Sequence, residues 1–249
     1  MILRKLRWLA AVALALAAPA VSNAGIQILV QESGGPTQIF TGSVVNYSTA
    51  NFTEINIGTT PNSGAISSLT TTVRATPVDG FNPAAELTIT VISDDFTVPS
   101  AFENGPATVF NNAAASSGIG GGSNVLSNTT QLFALPLSPG TGQTAAQATG
   151  TALGSATATA TDTRPGGGVS PTTTSNISGM PGAFAIQQTI TVRADVTDPN
   201  GISTGSTLGG SASSLVVTTP APVPAPPALL LALAAVPALG LRRVLAKKA

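Results

Sequence analysis

From Phe184 to Arg193 the chain alternates, residue by residue, between side chains suited to a core and side chains suited to water. Phe184, Ile186, Gln188, Ile190 and Val192 fall on one side of an extended backbone, and Ala185, Gln187, Thr189, Thr191 and Arg193 on the other. A period of two marks a strand with one buried face, because successive side chains of an extended chain point to opposite sides. The same period places Leu87, Ile89 and Val91 opposite Thr88, Thr90 and Ile92, and sets Leu69, Thr71, Val73 and Ala75 against Thr70, Thr72 and Arg74. Shorter runs extend the series: IQILV from Ile26, TQIF and VVNYS on either side of Thr41-Gly42-Ser43, and TEINI ahead of a PNSG turn. About ten short strands with no helical period between them predict an all-β fold, a single β-sandwich or jelly-roll-like domain.

The middle of the chain is plainer. Residues 113–124 (AAASSGIGGGSN) read as a Gly/Ser loop, and residues 164–176 (RPGGGVSPTTTSN) as another. GTALGSATATATDT alternates Ala with Thr; a strand with tiny inward residues packed under a neighbouring Phe is preferred there over a Thr-rich loop. TTTVRA (70–75) echoes TITVRA (189–194), a match too short to establish a duplication.

Several chemistries are excluded by residue type. The chain has no His and no Cys, which rules out a Ser-His-Asp triad, a thiol nucleophile and imidazole or thiolate metal sites. It also forgoes disulfides, so packing and sheet ladders must hold it together. GIGGG (118–122) carries no P-loop lysine. Carboxylate chemistry survives on paper, with Glu86, Asp94, Asp95 and Glu103 as candidates for a glycosidase pair. A sugar cleft also wants aromatic platforms, and Asp94-Asp95 reads more simply as a turn ending the strand before Phe96. DVTDPNG (195–201), with Asp79 or Asp162 in support, invites a calcium reading, but it fails the EF-hand spacing and is an ordinary turn sequence. No catalytic, metal or cofactor residue is assigned. The sequons at Asn46, Asn51, Asn128 and Asn176 are expected by chance in so Thr- and Asn-rich a chain.

The two ends carry the clearest signals. Arg4, Lys5 and Arg7 precede the apolar run from Trp8 to Ala18, and Ser22-Asn23-Ala24 supplies small residues where a signal peptidase cuts. Residues 1–24 therefore read as a signal peptide removed between Ala24 and Gly25. Between Gly25 and Pro222 only Arg74, Arg164 and Arg193 remain against ten carboxylates, a net charge of −7. A body that acidic and free of lysine has no electrostatic route to nucleic acid.

After an all-β body spanning residues 25–218 comes a Pro-rich spacer, 219–227, which favours an extended conformation. Residues 228–246 then read as a transmembrane helix with a basic end, Arg242 and Arg243 snorkelling to the headgroups and the positive cluster staying on the cytoplasmic side.

A Pro-containing motif (Val223, Pro224, Ala225, Pro226), an apolar helix and an Arg-rich end (Arg242, Arg243) resemble the PEP-CTERM sorting signal of Gram-negative bacteria. The match covers about the last 27 residues, with Ala225 where the family usually has Glu. That resemblance implies recognition by an exosortase-like membrane enzyme, and delivery to the cell surface or an exopolysaccharide matrix. The expectation is an exported, transiently membrane-held, non-catalytic protein with a structural or adhesive role. The alternative is a carbohydrate-binding β-sandwich module, with or without calcium.

Overall fold

The computed structural model describes residues 25–78, 82–117, 124–135, 151–162, 168–194 and 207–220. They form thirteen strands and one 3₁₀ turn (Ser100–Phe102). The strands are β1 (Ile26–Glu32), β2 (Gln38–Thr41), β3 (Val44–Tyr47), β4 (Phe52–Asn62), β5 (Ile66–Pro77), β6 (Glu86–Thr97), β7 (Ala107–Ser117), β8 (Asn124–Ala134), β9 (Ala152–Thr161), β10 (Gly168–Val169), β11 (Thr173–Ile177), β12 (Ala183–Ala194) and β13 (Leu208–Thr218). Two antiparallel sheets make a β-sandwich. Sheet A runs β2-β1-β6-β12-β8-β9. Sheet B runs β10-β7-β13-β5-β4-β3, with β11 also paired to β7.

The alternation seen in the sequence sets the faces. Leu87, Ile89, Val91, Ile190 and Val192 point from sheet A into the core, where they meet Ile55, Leu69, Val73, Val109 and Val216 of sheet B. Each large apolar side chain so buried contributes roughly 1.5–3 kcal/mol. At one end Phe96 and Phe184 stack with ring centroids 5.4 Å apart and lie fully buried. The two short echoing segments occupy the same phase in opposite sheets: Val73 and Ala75 face inward in β5, as Val192 and Ala194 do in β12. Shared strand requirements account for the likeness.

The centre of the sandwich is polar. Gln188, wholly buried, donates from Nε2 to the Leu69 carbonyl (2.8 Å) and to Ser214 Oγ (2.6 Å), while its Oε1 accepts from Thr71 Oγ1 (2.7 Å). Ser214 and Thr130 share a hydroxyl contact at 2.5 Å, and Thr130 donates to Asn111 Oδ1 at 3.0 Å. Asn111 Nδ2 reaches the carbonyls of Asn128 (2.7 Å) and Ala156 (2.8 Å), and Asn128 Nδ2 returns to Asn111 Oδ1 (2.6 Å). Six strands from both sheets are thereby tied through side chains with no exposed surface, which fixes their relative register.

Several sequence expectations are corrected. Asp94-Asp95 is not a turn: β6 continues to Thr97, and the pair forms a bulge. Ser93 stands opposite Ile186 and Phe96 opposite Phe184, so β6 carries one extra residue there. Residues 113–117 belong to β7 and Asn124 to β8; the Gly-rich 118–123 lie outside the described residues. Within the expected loop 164–176, Gly168–Val169 and Thr173–Ile177 are strands paired with β7. Pro61 and Asn62 close β4 rather than opening a turn. The Ala/Thr segment is strand β9, as preferred from the sequence, with Ala156, Ala158 and Ala160 inward; Gly154 lies against Ile177 and Ser175 of β11. At Thr41-Gly42-Ser43 the chain passes from the edge of sheet A to the edge of sheet B, with Gly42 at φ 111° donating to the Ile26 carbonyl.

Candidate functional site

The outward face of sheet A is built from the polar half of each alternating strand. Cross-strand registers set Leu29, Thr90, Thr189, Thr129 and Thr157 side by side in one rank. A second rank holds Gln31, Thr88, Thr191, Ser127 and Thr159, and a third Gln27, Ile92, Gln187, Gln131 and Ser155. Neighbours within a rank are about 4.7–4.9 Å apart, and ranks follow at about 6.8 Å, two residues of strand rise. Thr129 and Thr157 hydroxyls meet at 3.1 Å, Thr159 Oγ1 donates to Ser127 Oγ at 3.2 Å, and Gln187 Nε2 donates to Gln131 Oε1 at 3.4 Å. The side chains thus hold one another in place.

A depression of about 370 Å³ opens on this face, lined by Leu29, Gln31, Thr37, Thr88, Thr90, Thr129, Gln131, Gln187 and Thr189. None of these side chains is charged. Leu29, Thr90 and Gln187 of this lining are buried; the more open hydroxyls and carboxamides both donate and accept, so the surface is suited to a neutral, hydroxyl-rich partner and supplies no carboxylate, imidazole or thiolate. Sequence alternation had put Thr88, Thr90, Thr189 and Thr191 on outward faces. That they line up in ranks follows only from the registers.

Glu86 does not converge with the consecutive pair Asp94-Asp95. Glu86 opens β6 beside Arg193 of β12, whereas Asp94 stands eight residues further along the same strand, about 27 Å away at strand rise. Glu103 follows the 3₁₀ turn and lies against Gly182. Asp162 is buried at the end of β9, where its N–H donates to the Asn124 carbonyl. Among the described residues no three acidic side chains come together in a way that could hold a metal ion. The DVTDPNG segment and Asp79 lie outside them.

Glu32, which the sequence did not single out, is a carboxylate with defined donors around it. It closes β1 and is buried; its Oε2 accepts from the Asn51 N–H at 3.1 Å and its Oε1 from Asn51 Nδ2. Burial alone would raise its pKa, but donors along residues 49–51 outweigh that and hold it below the ordinary value of 4.5. Of the sequons, Asn128 is wholly buried in the polar core.

On sheet B, Gly209 and Gly210 of β13 adopt φ 151° and 150°. A Cβ on Gly209 would lie 2.0 Å from the Val73 carbonyl oxygen, and one on Gly210 1.9 Å from that of Ala114. Missing side chains at this point leave a shallow groove between Arg74 and Ser116.

Gly25, at the expected cleavage point, is described and leads into β1. Ala24, Val223, Pro224, Ala225, Pro226, Arg242 and Arg243 lie outside the described residues, as does the expected transmembrane helix, 228–246. Among the described residues no helix is long and apolar enough to cross a membrane.

No protein-family model and no curated protein matches this chain. Among solved structures it is similar to the enzymatically active domain of tailspike protein 4 of bacteriophage CBA120, at 11% identity and a TM-score of 0.29. The match covers 68% of this chain but only 20% of that one. A likeness at that level carries no argument about activity.

Proposed function

We propose that this chain is an exported cell-surface or exopolysaccharide-matrix protein with a structural or adhesive role, delivered through a PEP-CTERM-like tail. The observation that carries this reading is the tripartite order of the last 27 residues: Val223-Pro224-Ala225-Pro226, the apolar run, then Arg242 and Arg243. Its partners are a signal peptidase acting before Gly25, an exosortase-like enzyme acting at the tail, and the membrane that holds the chain meanwhile. A sandwich without cysteine, knitted by a buried hydrogen-bond network, suits a passive scaffold. The separation of Glu86 from Asp94 along β6 supports a non-catalytic role, since glycoside hydrolysis needs two facing carboxylates within about 5–10 Å. The test is the intact mass of the protein from the cell envelope and from the medium. A species beginning at Gly25 and ending near Pro224 is expected; retention of Arg242 to Ala249 in every fraction would refute sorting.

A second reading, a carbohydrate-binding module, is favoured by one observation, the uncharged hydroxyl and carboxamide ranks on sheet A. Glycan hydroxyls are the natural complement of such a surface. Affinity electrophoresis through matrix polysaccharide tests it: retardation should fall severalfold when Thr129 and Thr189 are both replaced by valine. Equal mobility with and without polysaccharide would dismiss the module.

A further inference from the structure

Gly25 is held in place before β1 formally begins. Its carbonyl accepts from the Asp94 N–H at 3.3 Å, extending by one residue the ladder in which Ile26 stands opposite Ser93. Asp94 sits in the β6 bulge, which re-aims side chains locally, and its carboxylate lies over the glycine. A Cβ built on Gly25 would be 2.7 Å from Asp94 Oδ1, 3.5 Å from Cγ and 3.6 Å from Oδ2. The Gly25 nitrogen is two bonds from that position, about 2.5 Å from it by ordinary tetrahedral geometry. Asp94 Oδ1 is shielded from solvent.

From this geometry we infer that Asp94 is the counter-ion of the mature N-terminus. The inference rests on the export reading above, in which a membrane endopeptidase cuts before Gly25. Water adds across the Ala24–Gly25 amide, the new carboxylate leaves with Ala24, and Gly25 keeps the nitrogen, which takes up a proton to become an ammonium. In the precursor that nitrogen is a neutral amide. After cleavage it is a cation beside a shielded carboxylate, where the pair is worth more than on an open surface. A side chain at this position would push the carboxylate aside, so glycine lets it lie close to the backbone. Processing thus does more than release the body; it pins the first strand of sheet A at its entry.

The test uses the full-length gene expressed in its native host and protein recovered from the envelope. Intact mass first reports the N-terminus. The body has no lysine, so an amine-acylating reagent at pH 7 modifies the α-amine, with Lys247 and Lys248 the remaining sites in any tail-bearing species. Pairing with a carboxylate keeps the amine protonated and slows the reaction. Wild type should acylate at Gly25 three- to tenfold more slowly than a synthetic hexapeptide of residues 25–30, and Asp94→Asn should restore most of the rate. The hexapeptide comparison stands even if the variant fails to accumulate. A Gly25 N-terminus that reacts as fast as the hexapeptide overturns the pair and leaves the export reading intact. An N-terminus other than Gly25 overturns both.

Discussion

Replacing Gln188 by methionine removes three hydrogen bonds from the middle of the sandwich while keeping the side chain's length and most of its volume. The lost bonds are those to the Leu69 carbonyl (2.8 Å), Ser214 Oγ (2.6 Å) and Thr71 Oγ1 (2.7 Å). A typical buried bond contributes about 0.5–1.5 kcal/mol net, and a group left unsatisfied costs about 1–3 kcal/mol. The hydroxyls retain other partners, since Thr71 still reaches Thr59 Oγ1 at 3.3 Å and Ser214 still meets Thr130. The Leu69 carbonyl loses the donor that Gln188 supplied. The expected destabilisation is therefore about 2–4 kcal/mol. Thr71→Val alone, which strips Gln188 Oε1 of its donor, should cost about 1–2 kcal/mol. Combined with Gln188→Met it should add little, because the bond from Thr71 Oγ1 to Gln188 Oε1 is already gone and no carboxamide oxygen is left without its donor. Urea unfolding followed by far-ultraviolet circular dichroism gives the two single costs, the double cost and a check that the m-value is unchanged. A coupling of about 1 kcal/mol or more is expected. Strict additivity, or a Gln188→Met protein within about 0.5 kcal/mol of wild type, would refute the idea that this network sets the register of the two sheets.

Gly209→Ala should prevent stable folding or cost more than about 3 kcal/mol, since its Cβ meets the Val73 carbonyl at 2.0 Å in a conformation reserved for glycine; thermal unfolding checks this. Phe184→Ala should cost about 3–5 kcal/mol by opening a cavity beside Phe96, read in the same assay. The depressed pKa of Glu32 contributes stability that is fully present above its unfolded value of 4.5 and is lost as pH falls through the lower folded value. Glu32→Gln should accordingly lower stability at neutral pH and flatten the acid limb of the stability–pH curve. A variant with an unchanged acid limb would refute that role.

Strands β5, β6 and β12 were legible in the sequence, down to which residues face inward, because their apolar side chains alternate over enough positions to leave one register of burial. Thr173–Ile177 was not: TTSNI offers one apolar residue, and a strand flanking β7 outside the main ladder owes its conformation to that partner. Asp94-Asp95 carried a turn signal in its composition, and tertiary pairing overrode it, turning a stop into a bulge. Phase alone put Gln188 and Thr71 inside. It could not say that Asn111, Thr130 and Ser214 would meet them, since those partners come from strands far apart in the chain. The outer ranks of sheet A were half visible for the same reason: alternation shows the face, and only pairing aligns one strand's threonines with the next.

The sheet orders also dictate when the protein can fold. Strand β12 lies between β6 and β8, and β13 between β7 and β5. Without β12, sheet A is two fragments, β2-β1-β6 and β8-β9. Without β13, sheet B splits likewise into β10-β7 with β11, and β5-β4-β3. Both halves therefore wait for the last two strands: in a chain made from its N-terminus the facing edges of β6 and β8 stay open until β12 is complete at Ala194, and those of β7 and β5 until β13 is complete at Thr218. Such edges invite mispairing and slow the search, as non-local closure does in general. On the export reading proposed above, late closure keeps the body threadable: sheet A joins only when β12 arrives, and sheet B only with β13.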